Sequence, residues 1–230
     1  MSVTRLLAKT ISAYNNPKSV GSIFRMKRIA LLLEMIESVF KEHAAVSILD
    51  VGGTQTYWNI VPMQLLEEHN VRITIVNLPG QAMPEDHDPF FFIAADGCDL
   101  SDFEDKSFHI GHSNSVLEHV GDWGRMVLFA NELSRVSQRL FVQTPNYWFP
   151  IEPHCMTPFF HWLPKPIQVW LVLHFQLGHW EKASTVKQAV GIVESARMLD
   201  RAMFQALFKD AEILTERILG FPKSFIAFKK

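Results

Sequence analysis

The residues best able to do chemistry lie in three places. The first is Ile48-Leu49-Asp50-Val51-Gly52-Gly53-Thr54, an apolar run that ends in an acid and then breaks into glycines. Glycine lets a ligand come against the backbone, and a helix that follows turns its N-terminal amides toward that ligand. Dinucleotide-binding proteins use such a corner for pyrophosphate, but the G-x-G-x-x-G spacing is absent here. The second place is a set of polar residues directly after later apolar runs: Asn77, Asp96-Gly97 and Asn114-Ser115. The third is rich in histidine: Glu118-His119, then Glu152, His154 and His161. Imidazole titrates near neutrality and suits general acid–base work. The spacing of Glu152, His154 and His161 matches no metal-binding signature, so no metal is expected.

These residues need elements to position them, and the hydrophobic pattern supplies a repeating set. Apolar residues recur at helical spacing from Ile23 to Phe40. Val46 to Val51 reads as a buried strand meeting a glycine turn, Tyr57 to Glu68 as a helix, and Val71 to Val76 as a second strand stopped by Pro79-Gly80. Phe90 to Ala94, Phe108 to His112 and Leu140 to Gln143 read as three more strands. A helix is expected from about Ser115, with Ser115 as its N-cap, and another over Met126 to Val136. Asp200 to Lys209 reads as a helix, and Glu212 to Leu219 and Ser224 to Phe228 as two closing strands. Strands alternating with helices imply a Rossmann-like, mostly parallel sheet with helices on both faces, an α/β fold. A single domain over residues 1–230 is expected, with a helical lead-in over 1–45 and a cap insertion over 146–195. The insertion follows the fifth strand, at the carboxyl ends where open α/β sheets place their ligands.

Composition narrows the function. With 22 basic and 24 acidic residues the formal net charge is −2, which argues against nucleic acid as a partner. Cys98 and Cys155 are too few for a disulfide framework or a zinc cluster, and a cytoplasmic location is expected. Residues Met1 to Pro17 carry no signal-peptide pattern. The aromatic stretch Phe159 to Trp180 is interrupted by Pro164, Lys165, Pro166 and His174, so it does not span a membrane. So many apolar side chains must pack on the domain, a second copy, a substrate or a membrane surface. Arg25, Lys27 and Arg28 read as a solvated helix face.

Taken in order, Ile48 to Thr54, Ala95-Asp96-Gly97, Phe108 to Val120, Gln143 to His154 and Leu207 to Lys229 resemble class I S-adenosylmethionine-dependent methyltransferases of the small-molecule branch. The resemblance implies an S-adenosylmethionine cofactor with its amino-acid end against Asp50, Gly52 and Gly53, and the Thr54 hydroxyl available to its carboxylate. It implies that Asn77 accepts from the ribose, where the family has Asp or Glu; an aspartate at 77 should bind as well or better. Asp96 and Gly97 would meet the adenine amino group, and Asn114 and Ser115 would lie beside the reactive methyl. His154, and with it His119, become the candidate catalytic bases, and Tyr147, Trp148, Glu152 and His161 the acceptor contacts. The implied reaction is O-methylation of a small-molecule, sugar or lipid-linked acceptor, with peripheral membrane contact and a homodimer as further options. Thr54, Thr56 and Asn77 also fit a non-catalytic relative, and a dinucleotide-dependent oxidoreductase is the third reading.

Overall fold

The computed structural model of the chain describes residues 20–80 and 83–230. The first 19 residues of the expected lead-in lie outside the described residues. Helix α1 (Val20–His43) buries Ile29, Leu32, Met35, Ile36 and Val39, a stripe at three- and four-residue spacing. It leads into β1 (Val46–Val51), an inner strand of a seven-stranded sheet. The other strands are β2 (Val71–Asn77), β3 (Phe90–Ala94), β4 (Phe108–Asn114), β5 (Ser137–Pro145), β8 (Glu212–Ile218) and β9 (Phe221–Lys229). Their order is β3-β2-β1-β4-β5-β9-β8.

The first five strands are parallel, and β9 lies antiparallel to both β5 and β8. Leu219 and Gly220, with φ of 49° and 87°, join β8 to β9. Two positive φ values at the centre of a two-residue loop match the twist of a hairpin.

Side chains alternate between the two faces, as the period of a strand requires. Leu49, Val51, Val76 and Val142 pack against α4 (Trp123–Val136) and α7 (Arg201–Leu207). Ile48, Ile73, Ile75 and Phe141 pack against α1, Trp58 and Leu66. The sheet is therefore covered on both faces. Between β1 and β4 the strand order reverses direction, and such a switch point opens a crevice at the carboxyl ends.

The expected helix over Tyr57 to Glu68 is two pieces, α2 (Gln55–Trp58) and α3 (Met63–Glu68), because Pro62 caps the second and cannot continue the first. The helix expected from Ser115 does not form. Ser115 takes φ +56°, a short 3-10 turn covers Leu117–His119, and α4 starts only at Trp123, capped by the Asp122 carboxylate accepting from Arg125 N. Ser115 is thus no N-cap.

The insertion folds into the small hairpin β6 (Ile151–Glu152) and β7 (Thr157–Pro158), a 3-10 turn, α5 (Lys165–His174) and α6 (Val186–Val193). It has its own small core of Cys155, Phe160, Val172, Leu177, Ala183 and Ala189. Part of the aromatic stretch is spent there, while Phe159, Trp162, Trp170 and Phe175 stay exposed. Among the described residues no helix is long and apolar enough to cross a membrane.

Candidate functional site

The glycine corner sits where β1 ends. Gly52 takes φ +74°, and a Cβ there would stand 2.5 Å from Val116 Cγ1. A Cβ on Gly53 would come within 1.8 Å of Asp50 Oδ2. Both glycines are thus required by close approach of the corner's own neighbours. Asp50 is fully buried, accepting from Trp58 Nε1 at 2.8 Å and bonded to His112 Nδ1 at 2.6 Å. Its carboxylate is fully engaged by the protein. These bonds brace the corner, and Asp50 also lines a cavity of about 620 Å³ that opens there.

Two cavities meet at Gly52. One of about 310 Å³ is lined by Gly52, Asn77, Asp96, Gly97, Ser115 and His119. The other, of about 620 Å³, is lined by Arg25, Gly52, Gly53, Thr54, Tyr57 and Asn114. The structure therefore gathers most of the expected cofactor residues around one corner, from four different strand ends. Thr54 is exposed, and its hydroxyl makes no capping bond to α2.

Each polar group in the smaller cavity has a defined posture. Asn77 donates Nδ2–H to the carbonyl oxygen of Gly53 at 3.0 Å. Its Oδ1 takes no hydrogen bond from the described residues and is available to a donor. Asp96 accepts from Arg125 NH2 at 2.8 Å and from Cys98 N at 3.0 Å. Burial pushes its carboxyl up, but the Arg125 guanidinium and the Cys98 amide outweigh this and hold it below its ordinary value. Ser115 Oγ donates to Gln143 Oε1 at 2.7 Å, so its exposed left-handed backbone is anchored to β5.

Behind this wall lies a buried network. Arg28 donates to Asn114 Oδ1 and Gln143 Oε1 and pairs with Glu216 at 3.3 Å. Arg28 is only 8% exposed. The reading of Arg25 and Arg28 as a solvated face is corrected: Arg28 ties α1 to β4, β5 and β8, and Arg25 lies over the Tyr57 ring at the larger cavity. Sequence reasoning missed Arg28, Arg125, His112 and Trp58. Only the i, i+3 spacing of Arg25 and Arg28 beside an apolar stripe could have hinted at the first.

The expected acceptor residues divide. Tyr147, Glu152 and His161 line a third cavity of about 520 Å³ with residues of α6 and the segment after it, but Trp148 does not. Trp148 is 62% exposed and lies 6.2 Å from the ring of Trp162. His161 Nε2 donates to Tyr147 O at 2.7 Å, and burial lowers the pKa of its ring. Glu152 is engaged like Asp50: Oε1 accepts from His154 Nδ1 at 2.6 Å and Oε2 from Cys155 N at 2.6 Å. Glu152 thus both lines this cavity and holds His154.

His154 and His119 do come together, with their Nε2 atoms 3.1 Å apart. Burial alone would lower the His154 pKa. The hydrogen bond and charge of Glu152, with the charge of Glu118, raise it instead. Glu118 is buried, accepts from Thr144 Oγ1 at 3.0 Å, and is pushed up by that burial.

No protein-family model matches the chain. No curated protein matches it. Solved structures do. An O-methyltransferase family protein from Burkholderia thailandensis is 14% identical, with a TM-score of 0.47 over 90% of this chain, which spans 58% of that protein's length. A SAM-dependent methyltransferase from Methanosarcina mazei is 15% identical, with a TM-score of 0.48 over 80% of this chain and 92% of that one. A SAM-dependent methyltransferase from Archaeoglobus fulgidus is 12% identical and gives a TM-score of 0.50 over 86% of this chain and 94% of that one. The chain shares the fold of this last protein, a Rossmann-like α/β sheet flanked by helices.

Proposed function

We propose that the chain is an S-adenosylmethionine-dependent methyltransferase acting on oxygen of a small-molecule, sugar or lipid-linked acceptor. The observation that carries this reading is the pair of cavities meeting at Gly52, with Asn77 and Asp96 lining one and Arg25 and Thr54 the other. An adenosine would lie along Asn77 and Asp96, and an amino-acid carboxylate would meet the Arg25 guanidinium and the Thr54 hydroxyl. The fold shared with the Archaeoglobus fulgidus enzyme supports it.

Bound cofactor supplies an electrophilic methyl on a sulfonium, so the protein's task is mainly to align an acceptor with it. Ser115 and His119 form the wall that an acceptor would face. Transfer to oxygen needs the acceptor proton removed, and the His119–His154 pair is the titratable group at that wall. The exposed rings of Trp148, Trp162 and Phe159 lie in series at tilted angles, and they suit an acceptor with an apolar body. Both cysteines are buried and free, which suits a reducing compartment such as the cytoplasm.

Isothermal titration with S-adenosylmethionine, S-adenosylhomocysteine and NAD tests the reading. Binding of the first two in the micromolar range and none of NAD is expected. Binding of NAD alone returns the chain to the oxidoreductases; binding of none makes it a non-catalytic relative.

A further inference from the structure

The His119–His154 pair poses a proton-counting problem. His119 Nδ1 lies 2.7 Å from the carbonyl oxygen of Ser195, which can only accept, so the Nδ1 proton sits there. His154 Nδ1 likewise lies 2.6 Å from Glu152 Oε1, a carboxylate oxygen placed to accept its proton, while Cys155 N donates to Glu152 Oε2. The Nε2 atoms therefore face each other across 3.1 Å. Two bare lone pairs at that distance repel, and either a shared proton or a metal ion between them removes the repulsion. A third donor belongs to the group: Glu118 Oε1 is buried and has no hydrogen-bond partner. The three ligating atoms of Glu118, His119 and His154 lie within 4.8 Å of one another.

We propose that Glu118, His119 and His154 bind a divalent transition-metal ion of the zinc type. Two imidazoles and a carboxylate are a known three-ligand set that leaves a fourth position open. Donors about 2.0–2.1 Å from a tetrahedral ion stand roughly 3.3 Å apart, close to the observed imidazole spacing. Glu118 closes the rest by a side-chain rotation of roughly 1–2 Å at its tip. The outer contacts also fit. Glu152–His154 is a carboxylate–imidazole pair and Ser195–His119 a carbonyl–imidazole pair, the two arrangements that fix ligand histidines in the metal-binding tautomer. Thr144 holds the second oxygen of Glu118.

The ion would join three parts of the chain: the turn after β4, the β6–β7 hairpin of the cap, and the segment after α6. His119 also lines the smaller cavity, so the site borders the proposed acceptor wall. It takes water or an oxygen ligand of the acceptor class. Metal and proton compete for the same lone pairs. With the ion bound, the histidines would hold it rather than accept a proton, and the ion's charge would lower the pKa of that oxygen ligand. Metal binding itself rests on these residues alone, and only the acceptor role rests on the methyltransferase reading.

The test uses tag-free full-length protein. Zinc uptake is measured by elemental analysis after dialysis against 10 μM ZnCl2 (roughly the ion's working range for such ligand sets). Cobalt titration then reports the ligand geometry by visible absorption. One equivalent of zinc and a tetrahedral cobalt spectrum are expected. The double change His119→Ala and His154→Ala should abolish uptake, and Glu152→Gln should weaken it by about 10- to 100-fold, the scale of an outer-shell loss. His161→Ala should bind as the unaltered chain does. Should the double variant fail to fold, the stoichiometry and cobalt spectrum of the unaltered protein decide. Less than a tenth of an equivalent, or octahedral cobalt, overturns the proposal, as does equal uptake by a folded double variant. S-adenosylmethionine affinity is measured in parallel on EDTA-treated protein. Zinc without cofactor binding refutes only the methyltransferase reading; cofactor without zinc refutes only the metal site.

Discussion

Replacing Asn77 by aspartate should weaken cofactor binding, although the family resemblance alone suggests the reverse. The carboxylate would strengthen a ribose hydrogen bond by about 1 kcal/mol, the difference between charged and neutral acceptors. Against this stands the Gly53 carbonyl oxygen, 3.0 Å from the atom that now donates to it. Aspartate has no proton to give at neutral pH. With roughly half a charge on each facing oxygen and an effective dielectric of about 20, the repulsion is on the order of 1–2 kcal/mol. In the free protein the carboxylate swings away to water, so this penalty, with the lost orientation of about 0.5–1 kcal/mol, falls on the bound state. The net loss is about 1 kcal/mol, roughly fivefold in affinity. Titration calorimetry with S-adenosylhomocysteine measures it, beside Asn77→Leu, which should lose about as much. Tighter binding by the aspartate variant refutes the reasoning, and unchanged binding by the leucine variant removes Asn77 from the site.

Two further predictions concern the framework. Arg28→Met should cost about 3–5 kcal/mol in urea unfolding, because Glu216 is left buried beside it without its partner; adding Glu216→Gln should restore part of that, and a loss below about 1 kcal/mol would place the pair in solvent. Burial outweighs the attraction of Glu216 and, with repulsion from Arg28, depresses Lys223 to about 8. The unfolded chain then binds the extra proton between about pH 8 and 10.4, so stability should rise across that window by up to roughly 3 kcal/mol. Lys223→Met should flatten the rise, and an identical pH profile in the two proteins would show that Lys223 is not the group responsible.

Elements whose signal is local could be read from the sequence with little error. The buried runs Val46 to Val51 and Val71 to Val76 lie in the sheet as expected, with β2 ending one residue later at Asn77. The closing hairpin lies where Gly220 marks it. Failure came where a tertiary contact overrides local preference. Ser115 resembles an N-cap, but its hydroxyl is drawn to Gln143, 28 residues on, and its backbone takes a left-handed turn. Arg28 carries a charge that normally marks a solvated face. It is buried because Asn114, Gln143 and Glu216 converge on it from three strands, and no window of sequence contains all four.

The same distinction separates the two halves of the site. The proposed cofactor corner belongs to residues at the ends of adjacent parallel strands, whose positions follow once the strand order is known, so Gly52, Asn77, Asp96 and Ser115 could be named in advance. Their chemistry could not. Asp50 and Asn77 look like ligand acceptors by type, yet one is also bonded to Trp58 and His112 and the other to Gly53. Under the proposed function this gives a physical reason for an amide at 77: a group that both donates and accepts can hold the glycine corner and still accept from a ribose. The histidine cluster was hidden for the opposite reason. Glu118 and His119 are adjacent in the chain, and His154 arrives from the cap, so no regular spacing connects them. The set weighed from spacing, Glu152 with His154 and His161, contains one member of the cluster, one outer partner and one residue bonded elsewhere. What unites the proposed set is the second hydrogen bond that holds each side chain, made to Ser195, Glu152 and Thr144.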